Sequence, residues 1–324
     1  MSRAILTIAI PTYRRPDLLR RSLGSALSQK TTTPYEVLVI ENPESDVQSE
    51  SRIPTESEKV CISFGSPRVR YVCNDINIGM TGNWNRCIEE SIGEWITILH
   101  DDDWLSPYYV STLFHVISLH SRVKILGCLA HVERGRATRT SSDKRPRMVQ
   151  VEKISRLNFL LGNPYYASGV IFQKRLVVDI GLFNPNVYPT MDHDLWLRLC
   201  DRHNAALLLY PLLHYSVESN ASMNPAALAS YIANDFQQRC GLIQKDFFGL
   251  KILHLYSRAK VCRERASLER FFKCSIPWSI VESQLLKVNW TPLSRLAQFI
   301  YFPVRACIGV VVAVCAKRYI LYLD

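Results

Sequence analysis

The chain has 324 residues, 48% of them apolar and 21% charged, enough to bury one large core or one core plus a smaller appendage and too apolar for a disordered protein. Its net charge of +10 is unevenly placed: residues 1–224 hold 25 basic and 23 acidic side chains, residues 225–324 hold 14 and 6. No motif interleaves basic with aromatic residues, so nucleic acid is not the expected partner.

Ala4 to Ile10 is a continuous apolar run rich in β-branched residues and followed by Pro11, which predicts a strand covered on both faces, as in a parallel sheet. It is short for a signal peptide and lacks a small-x-small cleavage site, so a buried first strand is expected instead. From Pro16 the spacing of Leu18, Leu19, Leu23, Ala26 and Leu27 predicts a helix, with Pro in its first turn and Asp17 near its start. Tyr35 to Ile40 is a second predicted strand, completing a βαβ unit. Residues 41–68 are polar and broken by three prolines, a long connection with room for one short helix.

Arg70 to Cys73 predicts a third strand, Asn83 to Ser91 a helix, Trp95 to Leu99 a fourth strand, and residues 107–121 a further helix. Val123 to Ala130, Ala167 to Phe172 and Ala205 to Leu209 are further predicted strands, and His193 to Arg202 a helix. Between them residues 131–156 carry eight basic side chains, among them Arg134, Arg136, Arg139 and Arg147, against three acids, which suits either a solvated loop or one facing an anion. Beyond Pro225 the pattern is mainly helical. The alternation of strands and helices predicts an α/β fold.

Asp101, Asp102 and Asp103 follow the fourth strand directly, at the sheet edge where open α/β folds bind ligands. Carboxylates crowded on one turn repel one another unless a cation or a cap neutralises them, and hard oxygen donors suit Mg²⁺ or Mn²⁺. One alternative is a solvated loop with one Asp capping the next helix. A second acidic pair, Asp192 and Asp194, opens the helix that continues through Trp196; one of the two suffices as a cap, leaving the other free to act as a general base.

The absences narrow the chemistry. The chain has no G-x-G-x-x-G after its first strand, no P-loop and no G-x-S-x-G, so the phosphate cradles of dinucleotide enzymes and kinases and the nucleophile elbow of hydrolases are missing. Ten cysteines at spacings of 8 to 72, with no CxxC, suit reduced thiols in a cytoplasm rather than zinc ligands or disulfides.

The order of these motifs resembles the GT-A type, family 2 nucleotide-sugar glycosyltransferases over about residues 4 to 220. Ile8 to Arg14 (IAIPTYR) is similar to the family's opening strand and nucleotide loop, Val37 to Asn42 (VLVIEN) to its second strand, and Asn77, Gly79, Asn83 and Asn85 to the stretch before its central helix. Ile98 to Pro107 (ILHDDDWLSP) resembles the metal-binding DXD segment and Met191 to Arg198 (MDHDLWLR) the catalytic segment. The resemblance implies a GT-A fold, a Rossmann-like mixed and mainly parallel sheet flanked by helices, with a C-terminal helical extension. It implies a catalytic domain at 1–224, made of a nucleotide-binding half at 1–106 and an acceptor-binding half at 107–224, and a basic helical region at 225–324.

It also implies residue roles. Pro11, Thr12 and Tyr13 would line the nucleobase pocket with Glu41 and Asn42 at its floor; Asn77, Gly79, Asn85 and Asp101 would complete the donor side. Asp102 and Asp103 would hold Mn²⁺ or Mg²⁺, Asp102 being the direct ligand. Asp192 would be the base of a single inverting displacement, and Asp194 and Trp196 would shape the acceptor side. Three positions depart from the family pattern: Asn42 stands where Asp is usual, His100 where the motif's first Asp is usual, and Met191 where Glu is usual.

Leu296 to Ala316 contains one charged residue, Arg305, together with Pro303, and is flanked by Arg295, Lys317 and Arg318. Its uninterrupted apolar run of residues 306–316 is shorter than the roughly 20 residues a spanning helix needs. The segment suits a helix lying on an anionic cytoplasmic leaflet, or one packed on the catalytic core or a second subunit. The expectation is an inverting, metal-dependent glycosyltransferase using a nucleoside-diphosphate sugar, UDP or dTDP, and a saccharide acceptor, lipid-linked, in bacterial surface polysaccharide (O-antigen or capsule) assembly, cytoplasmic and peripheral on the inner face of the membrane. The alternative from another class is a non-catalytic GT-A-like module that binds nucleotide or glycan.

Overall fold

The computed structural model describes residues 4–44, 54–134, 144–217, 224–246, 250–286, 301–316 and 318–322. Their centre is a mixed sheet. Strands β1 (Leu6–Thr12), β2 (Tyr35–Glu41), β3 (Val69–Cys73) and β4 (Trp95–Ile98) run parallel in the order β4-β1-β2-β3. Every residue of β1, β2 and β4 is buried, as their mainly apolar sequences require of strands covered on both faces. The chain moves one way from β1 to β2 and β3, then returns to place β4 on the other side of β1. The carboxyl ends of β1 and β4 therefore form a switch point where a crevice opens.

The first strand continues through Pro11 instead of stopping before it. The Ala9 carbonyl faces β4, accepting from Leu99 N, whereas the Thr12 carbonyl faces β2, accepting from Asn42 N. By alternation the N–H that Pro11 lacks would point toward β4, beyond that strand's last paired residue, so no ladder bond is lost.

Helix α1 (Pro16–Leu27) follows β1 and buries Leu19, Leu23 and Ala26 against the sheet. In the long connection, α2 (Glu56–Ser63) starts at Thr55, whose hydroxyl accepts from Glu58 N at 3.0 Å. Helix α3 (Gly79–Glu90) begins four residues before its predicted start, at a glycine with φ +74°. The short strand β5 (Trp104–Leu105) and α4 (Tyr109–Leu119) come next.

The second half of the sheet consists of β6 (Val123–Glu133), β7 (Met148–Ile154), β8 (Ile171–Gln173) and β9 (Asn204–Ser216). The basic segment 131–156 is therefore not one loop. Its ends are β6 and β7: Val149 and Val151 alternate inward, and Ile154 is buried at the strand's end; Arg136 and Arg139 lie outside the described residues. Two short helices, α5 (Asn158–Leu161) and α6 (Lys174–Asp179), and then α7 (Met191–Arg202) precede β9.

Beyond residue 224, α8 (Pro225–Asp246), α9 (Lys251–Phe272) and α10 (Trp278–Leu286) share a core of their own around Ile232, Phe236, Val261 and Val281. The tail is not helical throughout. After α11 (Tyr301–Cys315), strand β10 (Arg318–Tyr322) returns to the main sheet and pairs antiparallel with β7. Ile308 and Val312 of α11 are buried in the main core, so this helix packs on the body that carries the sheet through one side.

Candidate active site

A cavity of about 570 Å³ opens at the carboxyl ends of β1 and β4. Pro11, Thr12 and Tyr13 enter it from the end of β1, Asn42 from the end of β2, Asn77 and Gly79 from the turn into α3, and Asp101 and Asp102 from the turn after β4. Asp192, in the first turn of α7, lines the same cavity. Thr12 and Asp192, 180 positions apart in sequence, thus meet because the parallel strands bring their ends to one edge and the first turn of α7 faces the same crevice.

The cavity floor is a web of asparagine amides. Asn42 Oδ1 accepts from Asn74 Nδ2 at 2.8 Å and from Ile78 N at 3.3 Å, while its Nδ2 donates to the Gly79 carbonyl at 3.1 Å. Asn74 also donates to Asn83 Oδ1 at 3.0 Å, and Asn83 donates to the Ile40 carbonyl at 3.1 Å. This web gives a reason for amide rather than carboxylate at position 42: an ionised Asp has no proton to offer Gly79.

Glu41 stands elsewhere. It is 6% exposed and accepts from Thr55 Oγ1 at 2.6 Å, from Ser57 Oγ at 2.7 Å and from the Tyr71 hydroxyl, tying α2 to the sheet behind the cavity. Asn85 likewise faces away, exchanging two hydrogen bonds with the backbone of Phe183 at 3.0 and 2.9 Å.

The three acids after β4 have three environments. Asp101 accepts from Thr12 Oγ1 at 2.9 Å; burial first, then the Asp102 charge, push its carboxyl up to about 6 against the pull of Arg15. Asp102 faces Arg15, whose guanidinium lies 3.3 Å away. Asp103 has no exposed surface, accepts from Ser216 N at 2.9 Å, and is raised well above the usual carboxylate range, mainly by burial and then by Asp102. His100 packs its ring 4.8 Å from that of Trp84, and burial lowers its pKa, keeping it neutral.

One donor atom from each of His100, Asp102 and Asp103 lies within 4.8 Å of the others. Asp103 Oδ2 and His100 Nε2 are buried without hydrogen-bond partners. Two carboxylates and a neutral imidazole with unused polar atoms suit a divalent cation, so the residues present fit the group their spacing suggested. His100 takes part in this set although it is not an acid.

Asp192 receives a hydrogen bond from Asn163 Nδ2 at 2.9 Å. Burial nevertheless pushes its carboxyl up to about 6, outweighing this bond and those from the backbone amides at the helix start. A carboxylate of that basicity is mostly ionised at neutral pH yet able to accept a proton. Asp194 and Trp196 are placed away from the cavity. Asp194 pairs with Arg198 at 2.7 and 2.8 Å, and Arg198 in turn caps the Ile180 and Leu182 carbonyls. Trp196 is 1% exposed and packs among Tyr165, Phe172 and Phe183, because it lies on the core-facing side of α7 with Leu195 and Leu199.

The side of the cavity near Asp192 is instead built by residues the sequence did not single out. Tyr165 and Tyr166 come from the segment before β8, Leu228 and Tyr231 from α8, and Leu268, Phe271 and Phe272 from α9. The basic C-terminal helices therefore contribute an aromatic wall to the site. No local motif marks these residues; only the packing of α8 and α9 brings them in.

The proteins compared below are distant from this chain in sequence. The chain is 24% identical over 212 residues to an uncharacterized protein of Mycobacterium tuberculosis, covering 61% of this chain and 62% of that one. It is 26% identical over 197 residues to a Campylobacter jejuni GalNAc(5)-diNAcBac-PP-undecaprenol beta-1,3-glucosyltransferase, covering 60% and 59%. The chain thus spans less than two thirds of the length of these relatives. Among solved structures it resembles S. aureus TarS 1-349 in complex with UDP-GlcNAc, with a TM-score of 0.53 at 10% identity over 93% of this chain and 92% of that one. It also resembles a mannosyltransferase from Pyrobaculum calidifontis in complex with GDP-Man and Mn²⁺, with a TM-score of 0.54 at 13% identity over 97% and 87%. The fold is the GT-A fold. Residues 7–179, more than half of the chain and including the cavity-lining residues from Pro11 to Asp102, match the model of glycosyl transferase family 2, and the chain belongs to that family.

Proposed function

We propose that the protein is a metal-dependent, inverting glycosyltransferase that moves a sugar from a UDP- or dTDP-sugar to a saccharide acceptor. The observation that carries this reading is the meeting in one cavity of Asp101 and Asp102 with the half-buried, raised carboxyl of Asp192. Asp192 takes the proton of the acceptor hydroxyl as its oxygen bonds to the anomeric carbon. The bond from that carbon to the diphosphate breaks in the same step, inverting the centre and releasing the nucleoside diphosphate. Asn163 orients the base, and Thr12 holds Asp101 at the donor side. Asp102 and Asp103, with His100, would hold Mn²⁺ or Mg²⁺, whose charge stabilises the departing diphosphate.

The acceptor is proposed to be lipid-linked and the pathway to be bacterial surface polysaccharide assembly, O-antigen or capsule. Relatives named as a glucosyltransferase of an undecaprenol-linked saccharide and as a putative colanic acid biosynthesis glycosyl transferase support this reading. The proposed location is the cytoplasmic face of the membrane. Phe302, Val310 and Val314 of α11 are 60, 63 and 80% exposed, with Arg305 and Arg318 also exposed, a mixture that suits an anionic lipid surface. Among the described residues no helix is long and apolar enough to cross a membrane.

Incubation of the purified chain with a panel of nucleotide sugars and acceptors, with and without Mn²⁺, tests the activity. Turnover with one donor, lost in Asp192→Asn and Asp102→Ala, is expected. Full activity in either variant removes that residue from its role, and donor binding without turnover on any acceptor favours a non-catalytic module. Flotation on anionic vesicles tests the surface, and equal flotation of a Phe302→Asp/Val314→Asp variant would refute it.

A further inference from the structure

Arg14 and Arg15, between β1 and α1, point in opposite directions. Arg14 has a left-handed φ of 57°, a conformation that residues bearing a Cβ adopt at a cost, and its guanidinium reaches outward to Glu44 at 2.9 Å. Arg15 consequently turns into the cavity. Its Nη1 stands 3.5 Å from Asp101 Oδ1 and 3.3 Å from Asp102 Oδ2, with 29% of its side chain exposed against 9% and 8% for the two acids. The neighbouring Arg21 is occupied differently: it donates to the Asp102 carbonyl at 2.6 Å and lies 4.0 Å above the Trp104 ring.

Asp102 belongs at once to this ion pair and to the donor set of His100, Asp102 and Asp103. A divalent cation seeking Asp102 meets a guanidinium already there. An anionic diphosphate entering the same cavity offers that guanidinium another partner of the bidentate kind it favours.

We propose that Arg15 is a resident counter-cation of the donor site, offsetting part of the charge of Asp101 and Asp102 before donor binds, then releasing Asp102 to the metal as it turns to the diphosphate. The inference rests on the metal-dependent reading above and adds an order to it. Metal alone binds weakly because it competes with Arg15; metal and nucleotide together each strengthen the other's binding, by the same factor in both directions.

The test is Mn²⁺ titration of the full chain, followed by loss of the free-ion electron paramagnetic resonance signal, with and without UDP. Without UDP, Arg15→Gln is expected to bind Mn²⁺ about tenfold more tightly than the unaltered protein, because a like charge beside the site is gone. The factor by which UDP tightens Mn²⁺ binding should fall about tenfold. Arg15→Lys keeps the charge and should hold the UDP-free affinity within about threefold of the original, which reports on the proposal even if the glutamine variant fails to fold. Unchanged or weaker UDP-free Mn²⁺ binding in Arg15→Gln overturns the proposal and leaves Arg15 as a mere orienter of the acids; so does a lysine variant that binds as tightly as expected for glutamine. If the unaltered protein takes up no Mn²⁺ even with UDP, the metal-dependent reading fails and this inference with it, a pattern distinct from the others because in them the unaltered protein still binds.

Discussion

Asn163 Nδ2 donates to Asp192 Oδ2 at 2.9 Å, across a separation of 29 residues, and this is the side-chain bond that favours the charged form of the proposed base. The carboxyl nonetheless titrates at about 6 because burial opposes charge more strongly. The rate on acceptor should therefore rise with pH and reach half its plateau near pH 6. Asn163→Ala removes a donor to the ionised form, so the acid limb should move upward by about half a pH unit or more. A limb that stays in place would show that this bond does not set the basicity of Asp192.

The same shift has a stability counterpart. The folded protein holds the Asp192 proton up to about pH 6, whereas an unfolded chain releases it near the usual value of 3.8. Stability from this group is thus present below pH 4 and is lost as pH rises toward 6. Asp192→Asn should abolish turnover yet raise unfolding free energy at pH 7 by about 1 kcal/mol, measured by urea denaturation. Lower stability of the variant at pH 7 would contradict a strained, buried charge.

Asn42→Asp is expected to destabilise the protein by about 1–3 kcal/mol at pH 7, since an ionised carboxyl faces the Gly79 carbonyl with no proton to give. Part of the loss should return as pH falls toward 5, where the acid is protonated and can donate. A pH-independent effect would show that the amide web contributes only shape.

Gly127 lies under Tyr165, and a Cβ placed there would stand 2.4 Å from the ring. Gly127→Ala must push Tyr165 from its bond to the Ala206 carbonyl and into the cavity it lines. We expect a cost of about 1–3 kcal/mol in stability and a fall in acceptor turnover larger than the fall in UDP binding. Retention of full turnover would mean that the ring yields in another direction.

Trp196→Phe keeps an aromatic ring in the core, so acceptor KM should stay within about twofold while stability drops by about 1 kcal/mol or more. Phe272→Ala, in the wall supplied by α9, should raise acceptor KM about tenfold with little effect on UDP affinity. The reverse pattern would restore Trp196 to the acceptor side.

The amino-acid pattern specifies local features. Apart from the buried Thr7 and Thr97, Leu6 to Ile10, Val37 to Ile40 and Ile96 to Leu99 are apolar because both faces of those strands are covered, and the residues that follow them, Thr12, Asn42 and Asp101, must then share one sheet edge. That is why the shared placement of these residues at one cavity was legible from strand ends and from the order of the motifs. Which way a side chain faces and what distant segment meets it depend on how the whole chain packs. Glu41 and Asn42 are adjacent, but the pleat sends one behind the sheet and the other into the cavity. Asp192 and Trp196 share one helix, but a separation of four residues does not reveal which side the core claims, since that depends on Phe172 and Phe183 beneath it. The aromatic wall of Tyr231, Phe271 and Phe272 and the return of β10 to β7 join segments far apart along the chain, and such joining depends on the shape of the packed whole rather than on any local pattern.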